Sequence, residues 1–276
     1  MKKFQVENHE YSLLPEGEWE LAWSDEFDGT ELDREKWDYR TSMMQRKHPG
    51  WTDKGVTLDG NSNAVFTLMM EDGRPVSSQL QTGYNFMDQP LEKTTFEEED
   101  IQWTIGKLHE SKYLHSYGYY ECRCKFQQKG GWWSAFWLQS PIIGASMDPK
   151  ETGVEIDIME CFNPGQVARH NVFTGGYGID MKHSVYGEMG KETWLDETEF
   201  HRFGLLWDET GYTFYVDGKV DGRITDKLTA KSAFILISTE PKGYRSPGHQ
   251  PTKEAIENVG DTFIVDYVRV FDKVEK

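Results

Sequence analysis

Apolar and polar residues alternate with period two along much of the chain, the pattern of strands with one buried face. Such runs cover residues 119–126, 134–139, 203–207, 212–216, 234–237 and 263–271. Asp217-Gly218 stands between two of them and predicts a tight hairpin turn. Helical spacing is confined to short pieces, residues 31–36 and 251–258. Sheets of this kind must cover one another's apolar faces, which predicts an all-β, two-sheet antiparallel sandwich.

One stretch breaks the alternation. Residues 153–162 read Gly-Val-Glu-Ile-Asp-Ile-Met-Glu-Cys-Phe. Val154, Ile156 and Ile158 share one face of a strand, and Glu155 and Asp157 share the other. Glu160 comes three residues after Asp157, so a regular strand would aim it into the core. An unpaired carboxylate there costs several kcal/mol. A β-bulge near Ile158 and Met159 adds one residue and returns Glu160 to the acidic face. Glu155 and Glu160 are then four strand positions apart, roughly 13 Å between Cα atoms. Leaning side chains bring the carboxyls to about 5–5.5 Å, the spacing a retaining glycosidase uses. The plain alternative is a solvated acidic face on an acidic protein.

The segment Glu155-Ile-Asp157-Ile-Met-Glu160 resembles the E-x-D-x-x-E signature of family 16 glycoside hydrolases, in the bulged form shared by laminarinases, agarases, porphyranases and κ-carrageenases. Other blocks resemble the same family in its own order, from about residue 17 to 273. They are Leu21-Ala-Trp23-Ser-Asp25-Glu26-Phe27-Asp28-Gly29 with Leu32-Asp33 and Trp37, then Tyr117-Gly118-Tyr119-Tyr120-Glu121. Trp132-Trp133-Ser134-Ala-Phe136-Trp137-Leu138, Phe200-His201-Arg-Phe203-Gly204 and Val265-Asp266-Tyr267-Val268-Arg269-Val270 follow. Two positions depart from the pattern: Ser134 stands where proline is usual, and many relatives have a second histidine near Phe173.

The resemblance implies a curved, concanavalin-like jelly roll with an open cleft across the concave sheet, formed by one catalytic domain over residues 1–276. It implies Glu155 as nucleophile, Glu160 as acid/base and Asp157 as helper between them. Trp133 and Trp137 are expected on the cleft face, with Trp132 or Phe136 in the core. Trp103, His170, Asn171, Tyr177 and Glu240 are further expected substrate contacts. No cofactor is required, although several relatives hold a structural calcium at the position matching Asp266. The partner is a polysaccharide and the chain is expected to be a monomer.

Composition narrows this picture. With 30 Lys+Arg against 47 Asp+Glu, the net charge is −17, which disfavours nucleic acid or an anionic membrane as partner. It also weighs against sulfated glycans, unless a local cation such as Lys129, Arg169, Lys182 or Arg245 serves them. The three cysteines, Cys122, Cys124 and Cys161, are spaced as buried thiols rather than as a disulfide or zinc site. No apolar run reaches membrane-spanning length. The first residues show no signal-peptide core, while polysaccharide-degrading relatives are mostly exported, so the compartment stays open. The expected substrate is a β-1,3- or mixed-linkage glucan. The alternative is agar, porphyran or carrageenan, reached through the loops at residues 42–58 and 141–152. A transglycosylase or a glycan-binding protein on the same fold are the remaining readings.

Overall fold

A computed structural model describes residues 1–89, 108–168, 170–176, 192–246 and 248–274, together with the backbone of 182–184. Trp103, Arg169, Tyr177 and the side chain of Lys182 lie outside the described residues. The two main sheets are antiparallel. One runs in the order Lys182–Ser184, Asn171–Thr174, Glu155–Asn163, Trp132–Gln139, Phe234–Pro241, Gln79–Gln81, Asp38–Tyr39. The other runs Lys219–Ile224, Gly211–Val216, His201–Asp208, Gly118–Lys125, Thr262–Lys273, Ala64–Thr67, Val56–Leu58. Strand Trp19–Asp25 also pairs with Thr262–Lys273.

The alternation decides what each face does. Trp132, Phe136, Leu138, Ile156 and Ile158 enter one core with Cys122, Phe203, Leu205, Phe214 and Val268 of the opposite sheet. The opposite parity of the first sheet forms a separate cluster, Ala135, Trp137, Phe234 and Leu236. Strand Phe234–Pro241 is therefore buried along its whole length, with one face in the core and the other under the cleft. The fold is an all-β jelly roll whose concave sheet carries the open cleft.

The Asp217-Gly218 turn forms with φ of 46° and 75°, joining Val216 to Lys219. A Cβ on Gly218 would meet Leu13 Cδ1 at 2.8 Å, so glycine also makes room for the N-terminal hairpin. The helical signals come out unequally. Residues 253–257 form a helix capped by Thr252, while 31–36 make only a turn closed by Trp37 N to Asp33 O at 2.9 Å. A second short helix, Pro149–Thr152, arises within the 141–152 insertion, where Asp148 accepts from the Lys150 amide. All three cysteines are free and buried, and burial pushes the thiols of Cys124 and Cys161 up. No helix among the described residues is long and apolar enough to cross a membrane.

Candidate active site

The bulge forms at Ile158. Phe136 pairs with Met159, and the next residue, Trp137, pairs with Asp157, so Ile158 is the extra residue. Glu155, Asp157 and Glu160 consequently face one pocket, which Trp133 and Trp137 also line. Trp132 and Phe136 go to the core, as the resemblance implies.

The acids shape one another's charge. Asp157 is 7% exposed, and burial, then Glu160 and Glu155, hold its carboxyl well above the ordinary range. Burial and then Glu155 raise Glu160 to about 7, against the opposing pull of Arg245. Like charges in a shared low-dielectric site cannot all ionise, so protons stay on part of the cluster near neutrality. Glu155 accepts a hydrogen bond from Gln139 Nε2 at 2.6 Å.

The tryptophans form a floor and a wall. Trp137 Nε1 donates to Ser238 Oγ at 2.9 Å, which fixes the indole in the sheet surface. Trp133 is half-buried and tilts against Phe162, with ring centroids 5.8 Å apart. Two arginines complete the pocket. The Arg245 guanidinium lies 5.2 Å from the Trp133 ring and Arg40 lies 5.3 Å from Trp137. Arg40 is 3% exposed and ion-paired to Asp88.

Other expected contacts are placed differently. Glu240 is 1% exposed and stands behind the pocket rather than in it. It accepts both Arg245 Nε (2.9 Å) and Nη2 (2.7 Å), and also Trp51 Nε1 (3.2 Å). Its role is therefore to hold Arg245, which corrects the expectation of a sugar contact. His170 is 1% exposed and points between the sheets, so it too cannot reach substrate. It shares the core-facing parity of Val172, whereas Asn171 between them faces the other way. Asn171 pairs across from Asp157 on the cleft strands and is half-buried. Trp103 and Tyr177 lie outside the described residues.

Asp266 does not fit a calcium site through its side chain, because Oδ2 is taken by Arg123 Nη1 at 2.5 Å. Among the described residues no group of three or more His, Cys, Asp or Glu side chains converges to hold a metal. Sequence reasoning named Arg245 among the candidate local cations and missed Arg40 and Gln139. Arg40 follows the short strand Asp38–Tyr39, where no periodic signal marks it, and Gln139 differs from other strand-end residues only through its partner Glu155.

Three comparisons bear on this geometry. The family model described as "Beta-porphyranase A-D, GH16 domain" matches residues 19–273. Among curated proteins, a glucan endo-1,3-beta-glucosidase A1 of Niallia circulans is 25% identical over 91% of this chain and 37% of its own length. A beta-porphyranase D of Zobellia galactanivorans is 32% identical over 58% of this chain and 33% of its own length. The chain thus spans well under two thirds of these relatives. The solved laminarinase of Rhodothermus marinus shares the fold, with a TM-score of 0.66 at 22% identity, over 95% of this chain and all of that one. With a family model covering nearly its whole length, the chain belongs to glycoside hydrolase family 16.

Proposed function

We propose that this chain is a retaining endo-β-galactanase acting on an anionic, porphyran-like galactan. The observation that carries the reading is the arginine pair in the pocket: Arg245 beside Trp133 and Arg40 beside Trp137. Indoles suit the flat apolar faces of pyranoses of any kind. The positive charge of a guanidinium next to that platform suits a sulfate or carboxylate substituent. Arg245 also borders a neighbouring groove whose rim carries Arg46, Lys47 and Arg74. This local field opposes the overall charge of −17. The match to the porphyranase-type family model supports the same substrate class.

The chemistry follows from the cluster. Ionised Glu155 attacks the anomeric carbon while protonated Glu160 gives its proton to the departing glycosidic oxygen. Glu160, now a carboxylate, takes a proton from water, and that water cleaves the glycosyl ester on Glu155. Asp157, kept protonated by its neighbours, orients Glu155 and eases its departure. The mechanism needs no cofactor.

A second reading, hydrolysis of β-1,3- or mixed-linkage glucan, is supported by the resemblance to the Niallia glucanase over most of this chain. Reducing-end release from porphyran, agarose, κ-carrageenan, laminarin and lichenan separates the two. We expect the fastest release from porphyran, with the β-anomer appearing first by proton NMR. Activity confined to laminarin and lichenan would overturn the galactan assignment, and an initial α-anomer would overturn the mechanism.

A further inference from the structure

Ile158, the extra residue of the bulge, sits at a gap in the hydrogen-bonding ladders on both of its sides. Strand Trp132–Gln139 skips it, passing from Met159 to Asp157. Pairing with Asn171–Thr174 ends at Asp157, and on that side the next paired residue is Cys161, with Val167. A buried backbone carbonyl in such a gap needs a donor from elsewhere. His170 supplies it: Nδ1 lies 2.9 Å from Ile158 O. A carbonyl carries no hydrogen, so Nδ1 is the donor. The other ring nitrogen, Nε2, lies 3.0 Å from Asp221 Oδ2. The ring itself lies flat on Phe214, with centroids 4.3 Å apart and planes 4° apart. Phe214 and Asp221 belong to adjacent strands of the opposite sheet. The imidazole is thus oriented from one sheet and aimed at the bulge of the other.

We propose that His170, aligned by Asp221 and Phe214, is a positioning residue that fixes the bulge at Ile158 and thereby seats Glu160 beside Glu155. A shift of one residue in a strand sends every side chain to the other face. The carbonyl that His170 holds belongs to the residue where that shift happens. His170 touches no substrate, so its whole effect passes through the strand. This inference rests on the reading of Glu155 and Glu160 as nucleophile and acid.

The test compares the wild-type chain with His170→Ala, His170→Asn and Asp221→Ala on porphyran and on laminarin. We expect His170→Ala to lower kcat about 100-fold with KM changed less than about twofold, because misplacement of a reacting group acts on the chemical step. Asparagine can put its amide nitrogen where Nδ1 stands, so His170→Asn should recover about tenfold or more of that loss. Equal loss in both variants, or a loss carried by KM, would overturn the proposal. Asp221 is partly exposed, so Asp221→Ala serves if His170→Ala does not fold. It should lower kcat about fivefold at unchanged KM, and an unchanged kcat would overturn the role. Should the wild type cleave neither glycan, the functional reading fails on its own. The clamp is then judged by carboxyl NMR of Glu160, whose wild-type titration near 7 should fall less in His170→Asn than in Asp221→Ala. A titration identical in all three would overturn it.

Discussion

Glu121 on one sheet and the Asp157–Glu160 pair on the other are acids withdrawn from water, yet their surroundings are opposite in kind. Glu121 is 1% exposed and accepts from the Tyr267 hydroxyl (2.7 Å), the Leu13 amide (3.0 Å) and the Tyr119 hydroxyl (3.3 Å). Nearby, Arg269 pairs with Glu26 through two bonds of 3.0 and 2.6 Å. Burial raises Glu121, but these donors and Arg202 pull it back. In the cleft, burial raises Asp157 and Glu160 and the neighbouring acids raise them further. The contrast teaches that burial alone does not make a carboxyl reactive. A full set of donors turns it into a structural tie, whereas crowding with its own kind leaves a proton available for chemistry.

The largest expected effect lies on the cleft side. Glu155→Gln keeps the side chain's shape and removes only the attacking charge, so kcat should fall by roughly 1,000-fold or more with the thermal midpoint nearly unchanged. Retention of about a tenth of wild-type activity would show that the crowded acids do not contain the nucleophile.

The opposite outcome is expected at Glu121. Glu121→Leu takes the acceptor from the Leu13 amide and the Tyr119 hydroxyl and leaves the Tyr267 hydroxyl only Tyr11 O, which should cost about 2–3 kcal/mol. In a chain of this size that corresponds to a fall of about 4–10 °C in Tm, with kcat unaffected below the transition. A loss of kcat without a loss of Tm would erase the distinction between the two sites.

A smaller and graded effect separates them by pH. Glu160 has a folded value of about 7 against an ordinary 4.5, so folding favours its protonated form. Its contribution to stability is complete below 4.5 and is lost as pH rises through about 7. Thermal melts across that range should therefore show the wild type losing stability relative to Glu160→Gln, and kcat/KM should decline over the same interval as the acid loses its proton. Parallel melting curves for the two proteins would remove the electrostatic account.

Much of this was legible in the chain because strand parity is local. The misplaced parity of Glu160 alone located the bulge, and the same count sorted Trp133 and Trp137 from Trp132 and Phe136. What escaped depends on partners far along the sequence. Glu240 reads as a polar strand end until Arg245 and Trp51 close over it, and Trp51 is 189 residues away. His170 stands one residue before a strand, and its direction is set by Asp221, 51 residues on. Arg40 lies at the end of a two-residue strand, too short for any period to show. Local rules therefore recovered the acids and the indoles, while Arg40, and the place of Arg245 beside Trp133, came only from tertiary pairing.

Strand Thr262–Lys273 carries a consequence for how the molecule assembles. It lies between Gly118–Lys125 and Ala64–Thr67 and also receives Trp19–Asp25. The middle of one sheet is thus made by a strand that follows in sequence every strand it joins. Until it is in place, two strand edges stay open and Trp19–Asp25 has nothing to join, which exposes the folding chain to edge-to-edge aggregation. Contacts this distant in sequence also place folding in the slow range, about milliseconds to seconds. Removal of the 12 residues Thr262–Lys273 would therefore act as a block to sheet closure.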